Sequence, residues 1–515
     1  MTERLWEVPS SWEWTVIKEL GDIVSGATPS TKVRDYWDGD VIWFAPSDLT
    51  GYKQKFIARG AKTLTEEGLA NSSARIMPSG SVMFSSRAPV GYVAITSVPA
   101  ATNQGFKSVV PYTGIFNEYL YHYLKASKHM AEQRATGTTF KELSGAAFGV
   151  LPAPLPPTNE QRRIVEKIEA MFDEIDAGIQ SLLTARNTLG LYRQSLLKSA
   201  FEGRLTAEWR ATNADKLEDP QTLLARIQTE RDARYKAALD ARQDALAAWR
   251  AGGEEGKKPA KPRKAKDQAP LTKDQIAELP LLPAAWVWVE LGHLSWSVKD
   301  GPHFSPKYTE HGIPFISGGN IRPSGIDFDT AKYISPELHE ELSQRCKPEL
   351  GDVLYTKGGT TGIARVNTYD FDFNVWVHVA VLKITETTLP FYLQNALNSP
   401  FCHSQAQKLT HGVGNQDLGL TRMVNIRLPL CSPAEQAEIV RRLDARLEAA
   451  DALEAETDAA LTRADALRQS ILKKAFSGQL VPQDPEDEPA ATLLERIKAE
   501  RATSSKYGRK RRVAV

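Results

Sequence analysis

The feature that most constrains the fold of this chain is an internal duplication. The stretch RQSLLKSAFEGRL begins at Arg193, and RQSILKKAFSGQL begins 275 residues later at Arg468, with nine of thirteen positions identical. EQRRIV at Glu160 returns as EQAEIV at Glu435 with the same offset. Self-similarity at a fixed offset predicts repeated structure. Because this repeat is far longer than a solenoid unit, it predicts two copies of one multi-element unit related by approximate twofold symmetry.

Length and composition exclude several classes of protein. At 515 residues, the chain is long enough for about three or four domains. Apolar residues make up 42% and charged residues 25% of the sequence, as in ordinary globular proteins. No stretch approaches the ~18 apolar residues of a membrane-spanning helix, and the N-terminus lacks the apolar core of a signal peptide. We therefore expect a cytoplasmic protein without a membrane partner.

Charge and cysteine content bear on partners and cofactors. The net charge of +1 excludes a uniformly basic, histone-like protein, but basic side chains can still be concentrated on one DNA-binding face. The three cysteines, Cys346, Cys402 and Cys431, form no C-x-x-C pair. Neither a zinc site nor a disulfide framework is therefore predicted. We expect these thiols to be reduced and structural, as in cytosolic proteins.

The front part of each copy predicts an α+β globule, over 1–157 and 280–431. Each copy opens with the pattern P-x-x-W-x-W, at Pro9 and at Pro283. Runs rich in β-branched and aromatic residues between turns predict strands. These runs are VIWFAP, SVMFSS and GYVAIT in the first copy and GIPFISG, GDVLYT and VWVHVAVLKI in the second. One helix follows the strands in each globule, FNEYLYHYLKAS in the first and PFYLQNALNS in the second.

A long helix follows each globule. Two capping boxes predict where these helices begin. The first is Thr158 with Gln161, and the second is Ser432 with Glu435, with Pro433 at the first helical position. Apolar residues then recur at steps of three and four, which is typical of a coiled-coil seam. The predicted seam residues are Ile164, Ile168, Met171, Ile175, Leu182, Leu189 and Leu196 in the first copy, and Ile439, Leu443, Leu447, Leu453, Leu461, Leu467 and Ile471 in the second.

The two long helices are expected to pack against each other as an antiparallel coiled coil. Each spans roughly 40 residues, or about 60 Å, and one helix alone cannot bury its own seam. Gly203 and Gly478 are predicted stop residues. A further helix is predicted after each, at about 219–250 and about 489–504. These segments give a central helical region over 158–250 and a C-terminal helical region over 432–507.

Two basic segments lie outside these elements. Residues 251–279 contain GGEEGKKPAKPRKAKDQAP, whose Gly, Pro and Lys content predicts a flexible linker between the copies. Residues 508–515 form a basic tail that begins GRKRR. A solvated tether and a DNA phosphate contact are the two interpretations of each segment.

Catalytic motifs are missing from the sequence. There is no G-x-x-x-x-G-K-[ST] phosphate loop, no H-E-x-x-H zinc motif and no G-x-S-x-G nucleophile motif. The Pro-Pro-aromatic tetrapeptide of an adenine methyltransferase is also missing, since LPPTN has threonine in the aromatic position. We therefore predict no catalytic residues, no metal site and no cofactor in this chain.

Polar loops at matching places in both globules are candidates for DNA contacts. Arg, Lys, Asn and Gln read base edges, and Ser, Thr and Lys suit phosphates. A single such loop is more often only a turn, but divergent loops on a common scaffold suit two readers of different sequences. The candidates are Thr28, Ser30, Lys32, Arg34, Ser86, Arg87, Asn103, Gln104, Thr138, Thr139 and Lys141 in the first globule, and Lys299, His303, Lys307, Asn320, Lys357, Thr360, Thr361, His411, Asn415 and Gln416 in the second.

Taken together, the motifs resemble the specificity (S) subunit of type I restriction–modification enzymes. The resemblance rests on L-P-x(2,3)-P/S-x-x-E-Q before each long helix, the R-Q-S-[IL]-L-K-x-A-F-x-G-x-L ends and the W-x-W starts. It covers essentially the whole chain. The family implies two target recognition domains, each reading one half of a bipartite site in double-stranded DNA.

The resemblance also implies partners. In the family, the helices dock two adenine methyltransferase subunits, which recruit two ATP-dependent motor-nuclease subunits. S-adenosylmethionine, ATP and magnesium would belong to those partners, and this chain would be required for their activities without being an enzyme. Two alternatives remain open: a self-contained enzyme with an unrecognised site, and a coiled-coil adaptor for proteins without sequence-selective DNA binding.

Overall fold

A computed structural model describes residues 4–512 except 88, 138–140, 257, 263, 266 and 413–415, with side chains through residue 502. The chain forms two compact units, Met1–Leu183 with Thr457–Val515, and Thr184–Glu456. Each unit contains one globule and parts of both long helices. Helices and sheets are mixed in each globule, so the predicted α+β class is confirmed.

The first globule is built on a five-stranded sheet of order β2-β9-β6-β7-β4, with a second sheet β5-β3-β8 and the antiparallel pair β1-β10. Its strands are β1 (Glu13–Val16), β2 (Gly21–Ser25), β3 (Trp37–Phe44), β4 (Phe56–Ile57), β5 (Lys62–Leu64), β6 (Val82–Ser86), β7 (Val90–Thr96), β8 (Ala101–Thr102), β9 (Lys107–Pro111) and β10 (Pro152–Leu155). Its helices are α1 (Ile17–Leu20), α2 (Glu66–Ala70), α3 (Asn117–Ala126), α4 (Lys128–Arg134) and α5 (Gly145–Gly149). The predicted strands VIWFAP, SVMFSS and GYVAIT correspond to β3, β6 and β7, and the predicted helix corresponds to α3.

The segment that follows is helical. It contains the long helix α6 (Thr158–Phe201), then α7 (Ala207–Thr212), α8 (Pro220–Ala251) and α9 (Lys273–Ala277). Asp219 caps α8 by accepting hydrogen bonds from the backbone N–H groups of Gln221 and Thr222, both at 3.0 Å. The second helix predicted at about 219–250 is therefore confirmed.

The second globule repeats the plan with a four-stranded sheet of order β12-β20-β17-β18 and the smaller sheets β16-β13-β19, β14-β15 and β11-β21. Its strands are β11 (Val287–Glu290), β12 (Ser295–Asp300), β13 (Ile313–Ile316), β14 (Ile321–Arg322), β15 (Gly325–Ile326), β16 (Lys332–Ile334), β17 (Val353–Thr356), β18 (Ala364–Val366), β19 (Asn374–Val375), β20 (Val379–Ile384) and β21 (Arg427–Leu430). Its helices are α10 (Leu291–Leu294), α11 (Pro336–Ser343), α12 (Pro390–Leu397), α13 (Pro400–Leu409) and α14 (Leu420–Met423). The predicted single strand VWVHVAVLKI is wrong, because a turn closed by the Val379 N–H on the Trp376 carbonyl (2.9 Å) divides it.

The C-terminal region contains the second long helix, α15 (Pro433–Phe476), and α16 (Ala490–Arg512). Both α6 and α15 have 44 residues. Each ends just before a glycine with positive φ, Gly203 at 75° and Gly478 at 73°. Since this left-handed conformation favours glycine, the predicted stop residues are confirmed. Helix α16 continues beyond the predicted end, into the range of the predicted basic tail.

The start of the first long helix differs from its prediction. The Thr158 hydroxyl donates to the Gly114 carbonyl (2.9 Å) instead of capping its own helix. The Gln161 side-chain amide accepts from the Phe116 N–H (2.7 Å), and the Gln161 backbone N–H bonds Pro157. The capping box at Thr158 is therefore wrong: these side chains tie the helix to its globule. At the second long helix, the hydroxyl of Ser432 does accept from the Glu435 N–H (3.4 Å).

The two long helices run antiparallel within each unit. In the second unit, Arg186 pairs with Glu454 (3.7 Å), whereas the later residue Arg193 pairs with the earlier residue Asp451 (2.6 Å). In the first unit, Ile164 near the start of α6 shares a core with Ile471 near the end of α15. The predicted direction of pairing is therefore confirmed in each unit.

Burial identifies which seam residues are enclosed. The buried ones are Ile164, Ile168, Leu196, Ile439, Leu443 and Ile471, and the partly buried ones are Met171, Ile175, Leu182, Leu189, Leu447 and Leu461. Leu453 and Leu467 are 54% and 49% exposed, contrary to the prediction. The small residues Ala450 and Thr457 are buried at a heptad spacing instead. The seam in this stretch of α15 therefore follows small side chains, which a search for leucines cannot detect.

The repeated helix ends pack into the globule of the opposite copy. In the first unit, the ring of Phe476 lies 5.6 Å from that of Tyr119 and 5.1 Å from that of Tyr123, measured between centroids. In the second unit, the ring of Phe201 lies 5.4 Å from that of Tyr392. Each globule core is thus completed by a helix end that belongs to the other copy of the repeat. This explains why the R-Q-S-[IL]-L-K-x-A-F motif occurs twice.

The tryptophan at the start of each globule is tied to the first turn of a long helix. Trp12 Nε1 donates to Glu160 (2.9 Å), and Trp286 Nε1 donates to Glu435 (2.8 Å). Glu435 is fully buried and also accepts from the Thr206 hydroxyl (2.7 Å). One carboxylate therefore joins the globule entry, the long helix and the segment after the first helix end.

The predicted linker has contacts that its composition does not indicate. Arg242 of α8 donates to the Pro259 carbonyl (3.3 Å), and Lys264 pairs with Asp232 of α8 (3.0 Å). Lys258 lies over the ring of Trp249, 5.8 Å from its centroid. The described residues of this range therefore run along α8. The domain boundaries proposed from the sequence stay a prediction. In the part of the chain that the structure describes, none of the helices is long and apolar enough to cross a membrane.

Replacing Glu435 by Ala should destabilise the second unit. The change leaves Trp286 Nε1, the Thr206 hydroxyl and the guanidinium of Arg210, which lies 2.8 Å from Glu435, without their shared acceptor. Breaking a buried charge pair costs about 3–5 kcal/mol, so urea denaturation followed by circular dichroism should show an earlier transition. Exposed Glu448 of the same helix is the control, since surface changes stay within about 0.5 kcal/mol. Equal midpoints for the two variants would contradict the assignment.

Candidate nucleic-acid interface

The same two segments meet in each globule where the central strand ends. In the first globule, the Leu143 N–H donates to the Ser86 carbonyl at the end of β6 (2.9 Å). In the second, the Leu418 N–H donates to the Lys357 carbonyl just after β17 (2.7 Å). Because these are backbone hydrogen bonds, they hold Leu143 and Leu418 at the strand end whatever side chains lie nearby.

Each of these segments carries a short hairpin loop. Thr136 and Glu142 exchange backbone hydrogen bonds of 3.0 and 2.8 Å, and His411 and Asp417 exchange bonds of 3.2 and 2.9 Å. We call residues 137–141 and 412–416 the reading loops. Their contents differ, GTTFK in the first and GVGNQ in the second. The predicted contacts Thr138, Thr139 and Asn415 lie outside the described residues.

A third segment enters each site through a glycine at a crowded position. A Cβ on Gly26, after β2, would lie 2.0 Å from the Asn103 carbonyl oxygen. A Cβ on Gly301, after β12, would lie 1.8 Å from the Val375 carbonyl oxygen. Both distances are impossible for real atoms, so only glycine allows the chain to pass so close to the neighbouring strand.

The structure exposes most of the predicted contacts of the first globule. The exposed residues are Thr28, Ser30, Lys32, Arg34, Gln104 and Lys141, and the partly buried ones are Arg87 and Asn103. Thr28 and Gln104 are hydrogen-bonded to each other, which brings the loop after β2 to the turn before β9. Ser86 is fully buried and donates to the Gly105 carbonyl (3.1 Å), so it is not placed to contact DNA, contrary to the prediction.

In the second globule, some of the predicted contacts are exposed and others are buried. The exposed residues are Lys299, His303, Lys307, Thr360, His411 and Gln416. Asn320, Lys357 and Thr361 are buried, at 6%, 3% and 4% exposure, so they are not placed to contact DNA, contrary to the prediction. Asn320 instead accepts from the Ser317 N–H (2.9 Å) and organises its own turn. Contact of the exposed residues with DNA stays a prediction.

Lys357 belongs to an ion-pair cluster that sequence reasoning missed. Its Nζ lies 3.1 Å from Asp417 Oδ1 and 3.4 Å from Asp300 Oδ2. The other oxygen of the buried Asp300 carboxylate accepts from Arg345 (2.8 Å). Asp300, Arg345, Lys357 and Asp417 come from separate segments of the sequence. No local pattern could therefore have revealed the cluster.

The first globule has a looser cluster at the corresponding place. Glu142 lies 3.6 Å from Arg87 and 3.9 Å from Lys107. Burial lowers the pKa of Lys107, with the Arg87 charge acting in the same direction and Glu142 opposing it. Glu142 and Asp417 are 275 residues apart, so the repeat offset was the one sequence feature that could have paired them.

The described residues give no sign of a metal centre or a reactive thiol. Among them, no group of three or more His, Cys, Asp or Glu side chains is arranged to hold a metal ion. Burial raises the pKa of the Cys346 and Cys402 thiols to about 12 and that of Cys431 well above its usual value. These thiols are therefore packed in the globule core as neutral groups.

Comparison with known proteins identifies the same repeat. A family model described as "Type I restriction modification DNA specificity domain" matches residues 9–185 and 284–463. The EcoBI specificity subunit of Escherichia coli is 28% identical over 420 residues, which cover 79% of this chain and 77% of that protein. The MjaIX specificity subunit of Methanocaldococcus jannaschii is 40% identical over 172 residues, which cover 33% of this chain and 39% of that protein.

Solved structures share the fold at low sequence identity. A chain from a structure of a type I R-M system is 19% identical, with a TM-score of 0.60, covering 92% of this chain and 100% of that one. The HsdS subunit from Thermoanaerobacter tengcongensis is also 19% identical, with a TM-score of 0.52, covering 93% of this chain and 100% of that one. Both similarities concern the fold alone.

Replacing Gly301 by Ala should distort the second site, because the new methyl group would overlap the Val375 carbonyl. Overpacking of this kind costs about 1–3 kcal/mol, to be measured by chemical denaturation. Gly319 of the same globule is the matched control, since the nearest atom to a Cβ there is Ser317 Oγ at 3.8 Å. If both alanine variants were equally stable, the close approach at Gly301 would not be the reason for its glycine.

Proposed function

This chain belongs to the type I restriction–modification DNA specificity family, and on that premise we propose that each globule reads one half of a bipartite, gapped site in double-stranded DNA. The observation that carries the proposal is that both globules have the same backbone pairing at the loop base, whereas the loop sequences differ. Residues 136 and 142 close one reading loop and residues 411 and 417 close the other with the same backbone pairing. Because the loops themselves differ, the two globules are suited to two different base sequences.

The exposed predicted contacts of each globule have the chemistry that such reading needs. Lys32, Arg34 and Lys141 in the first globule can contact phosphates or guanine edges, and Gln416 and His411 in the second can bond base edges. These exposed groups supply local positive charge and hydrogen-bonding side chains, although the whole chain carries a net charge of only +1.

The partner proteins are part of the same proposal. We propose that the long helices dock two adenine methyltransferase subunits and, through them, two ATP-dependent motor-nuclease subunits, in the cytoplasm. Leu191 at 67% and Tyr192 at 43% exposure are apolar side chains of α6 that a docked partner would cover. S-adenosylmethionine, ATP and magnesium would be bound by those partners.

Changing one reading loop should affect one half-site. In a complex with the methyltransferase subunits, Lys141→Ala should weaken recognition of one half-site and Gln416→Ala that of the other. A lost base contact costs about 1–3 kcal/mol for the cognate sequence, whereas a lost phosphate contact weakens all sequences alike. Binding to DNA with either half-site altered measures this, and exposed Lys236 of α8 provides the control. Equal effects on both half-sites would contradict separate reading.

The chain alone should be catalytically silent. Purified protein given S-adenosylmethionine, ATP, magnesium and DNA should leave the DNA unmodified, because the sequence contains none of the motifs for these reactions. Adding the methyltransferase subunits should produce adenine methylation at one bipartite sequence. Methylation by rigorously partner-free protein would favour a self-contained enzyme. Methylation without sequence preference in the full complex would favour the adaptor alternative.

A further inference from the structure

An acidic residue stands at the base of each reading loop, next to the surface that would face DNA. Glu142 and Asp417 close the loops through their backbones, and their side chains are 43% and 41% exposed. A free carboxylate in such a place would repel the phosphate backbone, which carries one negative charge per ~1.7 Å of duplex. Its presence at the same position in both copies therefore requires an explanation.

In both globules this carboxylate faces a cation, but the cation comes from a different position. Asp417 faces Lys357, the residue after β17, at 3.1 Å. The residue that corresponds to Lys357 in the first globule is Ser86, which has no charge. There, Glu142 faces Arg87 at 3.6 Å and Lys107 of β9 at 3.9 Å. Both copies have an ion pair here, and its basic member comes from different positions, so the pairing itself is the common feature.

The structure assigns Glu142 and Asp417 as positioning residues, each of which holds the base of its reading loop on the neighbouring strand end through an ion pair. This inference deepens the proposed function and depends on it. The carboxylate does not contact a base. It holds the pair of residues that closes the loop, 136 with 142 or 411 with 417, and it neutralises its own charge on a nearby cation before DNA binds.

The surroundings of Lys357 make this role testable without unfolding the globule. Its side chain is 4% exposed and Asp300 lies 3.4 Å away, so the ammonium group keeps a carboxylate partner when Asp417 is changed. Asp300 in turn keeps Arg345 when Lys357 is changed. The backbone bonds between His411 and Asp417 do not depend on either side chain. Single variants at both positions should therefore fold.

The experiment uses the full chain with its methyltransferase subunits, on the bipartite sequence that adenine-methylation profiling identifies for the unchanged complex. Asp417→Asn should reduce discrimination at one half-site by roughly 5- to 150-fold, the range of a misplaced base contact, and leave the other half-site unchanged. Glu142→Gln should do the converse. Glu349→Gln is the matched control, because Glu349 pairs with Lys383 (2.6 Å) at the opposite end of β17. Unchanged discrimination in Asp417→Asn would overturn the assignment.

A double-mutant cycle separates positioning from direct base reading. If Asp417 acts through Lys357, then Lys357→Met should reproduce the half-site loss, and the double variant should be no worse than either single one. If Asp417 itself accepts a hydrogen bond from a base, its loss should persist at full size in the Lys357→Met background, and the inference fails. Absence of half-site selectivity in the unchanged complex would instead contradict the proposed function itself.

Discussion

The structure depends on one packing arrangement: the end of each long helix completes the core of the globule that belongs to the other copy of the repeat. Phe476 packs on Tyr119 and Tyr123, and Phe201 packs on Tyr392. Fully burying an aromatic side chain is worth about 1.5–3 kcal/mol, and the tryptophan–glutamate hydrogen bonds lie beside these contacts. Neither globule has a complete core from its own copy alone. The helix ends are therefore nearly identical in the two copies because each packs on a tyrosine at the same place in the repeat, Tyr119 or Tyr392.

Because the helix ends complete the globule cores, the reading loops can differ between the two copies. The loop bases are held by backbone hydrogen bonds, such as Leu143 to Ser86 and Leu418 to Lys357, and by glycines at crowded positions. Neither device depends on the side chains of the loop. A globule can therefore change what its loop presents without changing how the loop is supported. The loop bases differ in their ion pairs. The acidic residue is at the same position in both copies, whereas its basic partner comes from a different position.

Elements governed by local sequence could be predicted, and contacts between distant segments could not. The long helices, their glycine ends and most strands follow from periodicity and turn residues near each position. The seam prediction is wrong at Leu453 and Leu467, because Ala450 and Thr457 are buried in this stretch instead. Lys357 and Asn320 have the residue types of DNA contacts, but both are buried. Lys357 pairs with Asp300, which is distant in sequence, and Asn320 is bonded within its own turn. Whether a polar residue is buried or exposed depends on tertiary contacts, and the residues next to it in sequence do not reveal those contacts.

The exchange of helix ends also sets an order in which the protein can be completed during synthesis. The second unit is one continuous stretch, Thr184–Glu456, whereas the first joins Met1–Leu183 to Thr457–Val515. The first globule is therefore synthesised before the second but lacks Phe476 and Ile471 of its core until the second unit has also been made. Domains generally fold in the order of their synthesis. Here, however, the globule that is synthesised first is the last to have a complete core. Until then, the surface that Phe476 and Ile471 later cover stays exposed to water.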